Sequence, residues 1–330
     1  MHPVLPVIGG AALISLSPVF VVMAETPATV AGVWRMAVGA IFLLLAARLQ
    51  GRRHRAGTVT TRHPPGRIRS RRQAHLILAC AAFFALDLWF WHRSILLAGP
   101  GLATLLANLQ VFFVAALAWA LDGERPGAGL IAAIVLAVTG LALLLVPDPG
   151  LLAPGWRRGT VFGVLTALSY AGYLSLLRHL QADRATGPLL LERVGWISAL
   201  TAGLLAAAAA VEGLPLLPPG GKALLWLGAY GLLCQGLGWV LITAGLPRLP
   251  AALGGLLLLL QPALAWVWDI AAFGARVSAA GAAGLTLVLG AIWLGGLAGR
   301  ARPAAGARVP PTPAAAPTPA SAHARLRPRP

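Results

Sequence analysis

Apolar segments of about 20 residues, the length that carries an α-helix across a bilayer, recur along this chain from end to end. A backbone in lipid must satisfy its own hydrogen bonds, so segments of this kind leave helix as the form that crosses. Ten are read, at roughly 4–23, 28–48, 76–97, 102–121, 128–147, 159–178, 188–211, 223–244, 250–272 and 278–298. Pro, Gly or charge marks most of the breaks, among them Glu25 and Pro27, Pro100 and Gly101, Asp122 to Gly127, and Pro247 to Pro250. Charged residues make up only 11% of the 330 residues and mean hydropathy is +0.80. Soluble domains carry about 25% charge, so the composition excludes a soluble enzyme and points to an all-α integral membrane protein. The first segment lacks a basic leader ahead of its apolar run and is read as a retained span rather than a signal peptide.

The charges that exist are concentrated. Residues 49–75 hold eight arginines and no acid, and residues 299–330 hold six arginines and no acid amid Pro and Ala. Neither has apolar periodicity, so a disordered loop and a disordered tail are expected. The layout is therefore spans 1–2 in 1–48, the basic loop 49–75, spans 3–5 in 76–147, spans 6–10 in 158–298 and the tail 299–330. Placing the loop in the cytoplasm puts nineteen basic residues inside and four outside, with Arg35, Arg93 and Arg193 within spans. The positive-inside rule then sets both termini in the cytoplasm of a multi-pass protein in the cytoplasmic (inner) membrane.

Sliding the chain against itself by 151 positions pairs Leu102, Leu105, Leu106, Gln110, Gly123 and Arg125 with Leu253, Leu256, Leu257, Gln261, Gly274 and Arg276. The leucines match by composition; the Gln, Gly and Arg at equivalent places carry the repeat. A shift of 150 pairs Trp89 with Trp239, and one of 158 pairs Arg35 with Arg193. The first repeat covers about 4–147 and the second 158–298. Five spans per repeat means that the second half enters the membrane inverted, an arrangement from which transporters are built by rocking two halves about a midplane site.

With those residues in place, the stretch Asp87-Leu-Trp-Phe-Trp-His92, Ser94, Leu102 to Phe112 and Gly123-Glu-Arg125 resembles the third and fourth spans of an EamA-type member of the drug/metabolite transporter superfamily. Gly238-Trp239, Ala244 to Pro250, Gln261-Pro262 and Gly274-x-Arg276 repeat the pattern in the second half. The resemblance implies ten helices as two inverted five-helix repeats, a cavity between them, and efflux of small metabolites or drugs across the cell membrane. The chain departs from the family pattern at Gln110, where a proline is usual, and at Ala275, where a glutamate is usual.

Polar residues at membrane depth are expensive and are candidates for function by default. Asp87 lies near the middle of the third span among Phe83, Phe84, Trp89, Phe90 and Trp91; it is the candidate for proton coupling or for pairing with a cationic solute, a structural ion pair being the alternative. Asn108, Gln110 and Gln261 are mid-span amides, as suited to binding a polar solute as to holding helices together. Pro262 removes a backbone donor, which should free the Leu258 carbonyl and bend the ninth span. Tyr170, Tyr173, Gln235, Trp239 and Trp89 complete the expected cavity lining, with Tyr230 beside them. Arg35, Glu192 and Arg193 are read as structural charges that meet neighbouring helices or snorkel. Trp266 and Trp268 fit an aromatic belt, and Gly281, Gly284 and Gly290 fit close helix packing.

Other chemistry finds no foothold. There is no phosphate-binding Gly-x-x-x-x-Gly-Lys-Ser/Thr loop, no His-Glu-x-x-His and no Gly-x-Ser-x-Gly. Cys80 and Cys234 carry no metal-ligand spacing. The basic loop lacks the aromatics of a nucleic-acid surface. The expectation is a secondary transporter and not an enzyme. It needs no metal or other cofactor; its partners are the bilayer, a small-molecule substrate and, as candidate coupling ion, the proton, and it acts as monomer or homodimer. A scaffold or sensor that keeps the fold, and a membrane-embedded lipid enzyme, are the alternatives.

Overall fold

The computed structural model describes residues 3–56, 70–98, 100–145, 154–182, 187–274 and 278–300. The described residues are almost wholly helical. In chain order the helices are α1 (Val4–Ile14), α2 (Ser17–Ala24), α3 (Ala28–Ala56), α4 (Arg71–Ala98), α5 (Pro100–Asn108), α6 (Gln110–Asp122) and α7 (Ala128–Leu145) in the first half. The second half holds α8 (Trp156–Leu180), α9 (Gly187–Val211), α10 (Gly221–Ala229), a π-helical segment (Tyr230–Gly238), α11 (Trp239–Gly245), a 3₁₀ turn (Leu246–Arg248), α12 (Ala251–Leu258), α13 (Leu260–Phe273) and α14 (Ala279–Arg300).

Nine helical stretches among the described residues are long and apolar enough to cross a membrane. At the place of the fifth expected span the apolar stretch Ala128–Leu143 is shorter. The two ends of the basic loop are helical, because α3 runs on to Ala56 and α4 begins at Arg71. Residues 57–69 and most of the expected tail lie outside the described residues.

Packing follows the duplication. The helix pair α3 and α9 and the pair α7 and α14 each join equivalent helices of the two halves. Helix α4 lies along α8, and the inverse pairing sets α1 against α11 and the π segment. Helix α6 meets α12. The main helix contacts are thus made twice, once by each half, or join equivalent helices of the two halves. The equivalent pairs approach closely. A Cβ at Gly140 would sit 2.7 Å from the carbonyl oxygen of Gly284, so α7 and α14 touch backbone to backbone. Of the other two glycines expected to pack, Gly281 lies against the Trp266 ring and Gly290 faces open space.

The fourth and ninth spans break at Leu109 and Leu259, within one residue of matching points in the repeat. Each N–H bonds three residues back, Leu109 to Leu106 and Leu259 to Leu256, both at 3.1 Å. In the ninth span the cause is Pro262, which offers no N–H to Leu258. The fourth span has no proline. There the Asn108 amide donates to the Thr104 carbonyl at 2.8 Å, and such back-bonding bends a helix. Helix α12, between the second break and the 3₁₀ turn, is buried at all eight residues.

A polar seam between the two halves

Arg35 enters the bundle from α3 and is 6% exposed. Its Nε donates to Gln235 Oε1 at 3.2 Å and its Nη1 to the Tyr230 hydroxyl at 3.1 Å, with the guanidinium 5.1 Å from the Tyr230 ring centroid. Gln235 passes the chain on, its amide donating to the Ser198 hydroxyl at 2.8 Å. Three helical elements, α3, α9 and the π segment, are joined by one hydrogen-bonded line across the halves. The π segment turns Gln235 and Tyr230 together towards Arg35; such irregularities are frequent at functional sites.

Asp87 is buried on α4, within electrostatic reach of Arg35 and of Tyr170. Among the described residues no ion pair ends on its carboxyl. One face of the neighbourhood is aromatic. Phe84 stacks on Tyr173 at 4.4 Å between centroids, and Trp239 presents its edge to Phe84, Tyr170 and Tyr173 at 5.2, 6.3 and 5.1 Å. The buried Trp239 indole nitrogen has no partner among the described residues. Tyr170 lies near the Gln261 side chain, whose buried amide nitrogen likewise has no partner among the described residues.

Asp87, Tyr170, Tyr173, Gln235, Trp239 and Gln261 thus gather in one region with Arg35. The other candidates stand apart. Gln110 is fully buried between α6 and α12, its amide 3.4 Å from the Gly255 carbonyl, a long contact that joins the halves. Asn108 is engaged with its own helix. Trp89 lies towards the α9 end of α4, where its indole donates to Glu212 at 2.9 Å and its face carries the Arg93 guanidinium at 3.5 Å. Arg93 also pairs with Glu212 at 3.1 Å. Two adjoining cavities of about 280 Å³ flank this pair, one reaching Thr29, His92 and Phe162.

Arg193 is fully buried and donates to the Leu180 carbonyl at 2.8 Å and to Gln181 Oε1 at 2.9 Å. It caps the C-terminus of α8, where unpaired carbonyls favour a cation. Glu192 is half-buried beside it. Trp268, expected in an aromatic belt, donates to the Ser15 hydroxyl at 2.8 Å and ties the ninth span to the kink in the first.

Two groups of charges escaped the sequence reading. Glu212 looked like a loop residue. Asp122 and Glu124 lie in one turn and Arg178 in another, yet they form one cluster: Arg178 reaches Glu124 at 2.7 Å and Asp122 at 3.6 Å. The Gly-Glu-Arg pattern at 123–125 was the available signal.

A duplicated bundle of apolar helices with a polar seam between its halves defines a polytopic membrane protein of the transporter-like class. The chain matches the EamA-like transporter family over residues 3–146 and 157–296, one match per repeat, and belongs to that family, within the drug/metabolite transporter superfamily. A solved structure titled "Crystal structure of protein" shares the fold, with a TM-score of 0.73 at 20% identity over 90% of this chain and 98% of that one. A search of curated proteins found no match.

Proposed function

We propose that the chain is a secondary transporter that moves small polar metabolites or drugs out across the cytoplasmic membrane by alternating access. In this reading ten helices cross the bilayer and both termini are cytoplasmic. The observation that carries it is the meeting of Arg35 and Asp87, both buried and both from the first half, with Gln235, Trp239, Tyr170 and Gln261 of the second. Buried charge and unpaired donors are costly in a bilayer. Placed where two repeats meet, they suit a solute that supplies the missing partners. A solute with one cationic and one anionic group would satisfy Asp87 and Arg35 together.

Export against a gradient needs a source of energy, and no nucleotide-binding loop is present in the sequence. Asp87 is the group proposed to exchange protons with the solute's movement. The experiment is flux in proteoliposomes, with candidate solutes chosen by metabolite profiling of deletion and overexpression strains. Asp87→Asn should abolish accumulation driven by a pH gradient and leave downhill exchange partly intact. Full pH-driven accumulation in that variant would make Asp87 structural. A protein that moves no solute in either mode would be better read as a scaffold or sensor.

A further inference from the structure

The cluster at the end of the bundle that carries the basic loop joins parts of the chain that an alternating-access cycle must separate. Helix α6 ends at Gly123, whose φ of +68° and N–H bond to the Trp119 carbonyl at 3.2 Å turn the chain. The Glu124 N–H bonds the Ala118 carbonyl at 3.1 Å, closing the turn in the left-handed manner that glycine permits. This fixes Glu124 at the rim of the first half. Its Oε1 accepts from Arg178 Nη2 at 2.7 Å, and its Oε2 accepts the Ala251 N–H at 2.9 Å. Arg178 belongs to α8 and Ala251 opens α12, so both partners are in the second half. Arg178 also donates to the Leu249 carbonyl at 3.3 Å, and Asp122 meets Arg178 at 3.6 Å and His179 at 3.1 Å.

Glu124 therefore makes two contacts with different helices across the interface. One is charge-assisted. The other places a carboxylate at a helix N-terminus, where the exposed N–H groups favour it. Neither can persist if the fourth and fifth spans part from the sixth and ninth at this end. The repeat places Ala275 where a second such glutamate would stand, so the sequence brings no matching carboxylate to the opposite end. There, among the described residues, the ion pairs that cross the halves are Arg93 with Glu212, from α4 and the end of α9, and the exposed pair of Lys222 with Glu25 at 3.7 Å.

We propose that Glu124 with Arg178 is a latch that holds the basic end shut and biases the empty protein toward a state accessible only from the other end. The inference rests on the transporter reading, and its test does not need the substrate. Cys80→Ala and Cys234→Ala clear the background. Thr243→Cys reports on the basic end from α11, and Thr29→Cys reports on the opposite end, where Thr29 lines a cavity. Both positions are buried. Labelling with a membrane-impermeant maleimide, on full-length protein in inside-out and right-side-out vesicles, gives the two rates.

Glu124→Gln keeps an oxygen for the Ala251 N–H but removes the charge; Arg178→Gln removes the other partner. Either change should raise the Thr243→Cys rate about tenfold, the size of one charge-assisted bond, and lower the Thr29→Cys rate. A rise at Thr243 with no fall at Thr29 means local fraying and overturns the latch, as does no change at either site. Reciprocal shifts in a protein that moves no solute would leave the latch standing and defeat the transporter reading alone.

Discussion

Replacing Gln235 tests whether the line from Arg35 through Gln235 to Ser198 holds the halves together. Gln235→Leu keeps the volume and removes both bonds. The bond from Arg35 Nε, at 3.2 Å, involves a charged donor, and such bonds contribute about 1.5–3 kcal/mol. The bond to Ser198, at 2.8 Å, is a neutral interhelical bond, which averages about 0.6 kcal/mol in membrane proteins. Gln235→Leu should therefore cost about 2–4 kcal/mol, and Ser198→Ala about 0.6 kcal/mol. Gln235→Glu should fall between, since a carboxylate still accepts from Arg35. Gly39 supplies a second route to the same outcome. A Cβ there would lie 2.5 Å from Gln235 Cγ, so Gly39→Ala must push the amide away from Arg35. Unfolding in mixed micelles, followed by loss of helicity as the fraction of denaturing detergent rises, gives the free energies. A Gln235→Leu cost below about 0.5 kcal/mol, or a Ser198→Ala cost as large, would refute the assignment of the bridge to Arg35.

Four shorter predictions accompany it. Gly140→Ala, opposite the Gly284 carbonyl, should destabilise by about 1–3 kcal/mol, whereas Gly290→Ala in the same packing region meets open space and should stay within about 0.5 kcal/mol, both read by the same unfolding assay. Arg193→Met should cost about 2 kcal/mol or more by leaving the Leu180 carbonyl at the end of α8 without its cap, again read by unfolding. Arg72→Cys should label from the cytoplasmic side and Arg157→Cys from the outside; the reverse pattern would sink the proposed topology. Glu212→Gln should loosen the opposite end and speed labelling of Thr29→Cys, because it weakens the pair with Arg93.

The spans were legible because length and hydropathy are local properties, and the duplication because Gln110 with Gln261 and Gly123 with Gly274 recur at one spacing. The break at Leu259 was legible through Pro262. Its partner at Leu109 was not, since Asn108 bends the helix through a hydrogen bond that its residue type permits but does not require. The π segment at Tyr230–Gly238 left no pattern in the sequence either. In the site, Asp87 and Arg35 announced themselves as charges in apolar runs. Glu124 and Glu212 did not, because each lies at a helix end where a solvated acid is the ordinary expectation. Their meaning comes from partners far away in the chain, Arg178 for one and Arg93 for the other.

The two repeats have diverged in what they bring to the seam. The buried charges of the seam, Arg35 and Asp87, come from the first half, on the regular helices α3 and α4. The second half answers with neutral groups, Tyr170, Tyr173, Gln235, Trp239 and Gln261, and with the irregular backbone: the π segment, the 3₁₀ turn and the break at Pro262. This division has a physical consequence. A charge that moves through lipid must carry its partners with it, whereas a neutral ring or amide can change neighbours at the cost of one weak bond. An exchange of partners during the proposed cycle is therefore cheaper on the second half, where helix α12 is buried on every side between two interruptions. In the proposed cycle the charged helices α3 and α4 and the interrupted helices of the second half take different parts, although they descend from one repeated pattern.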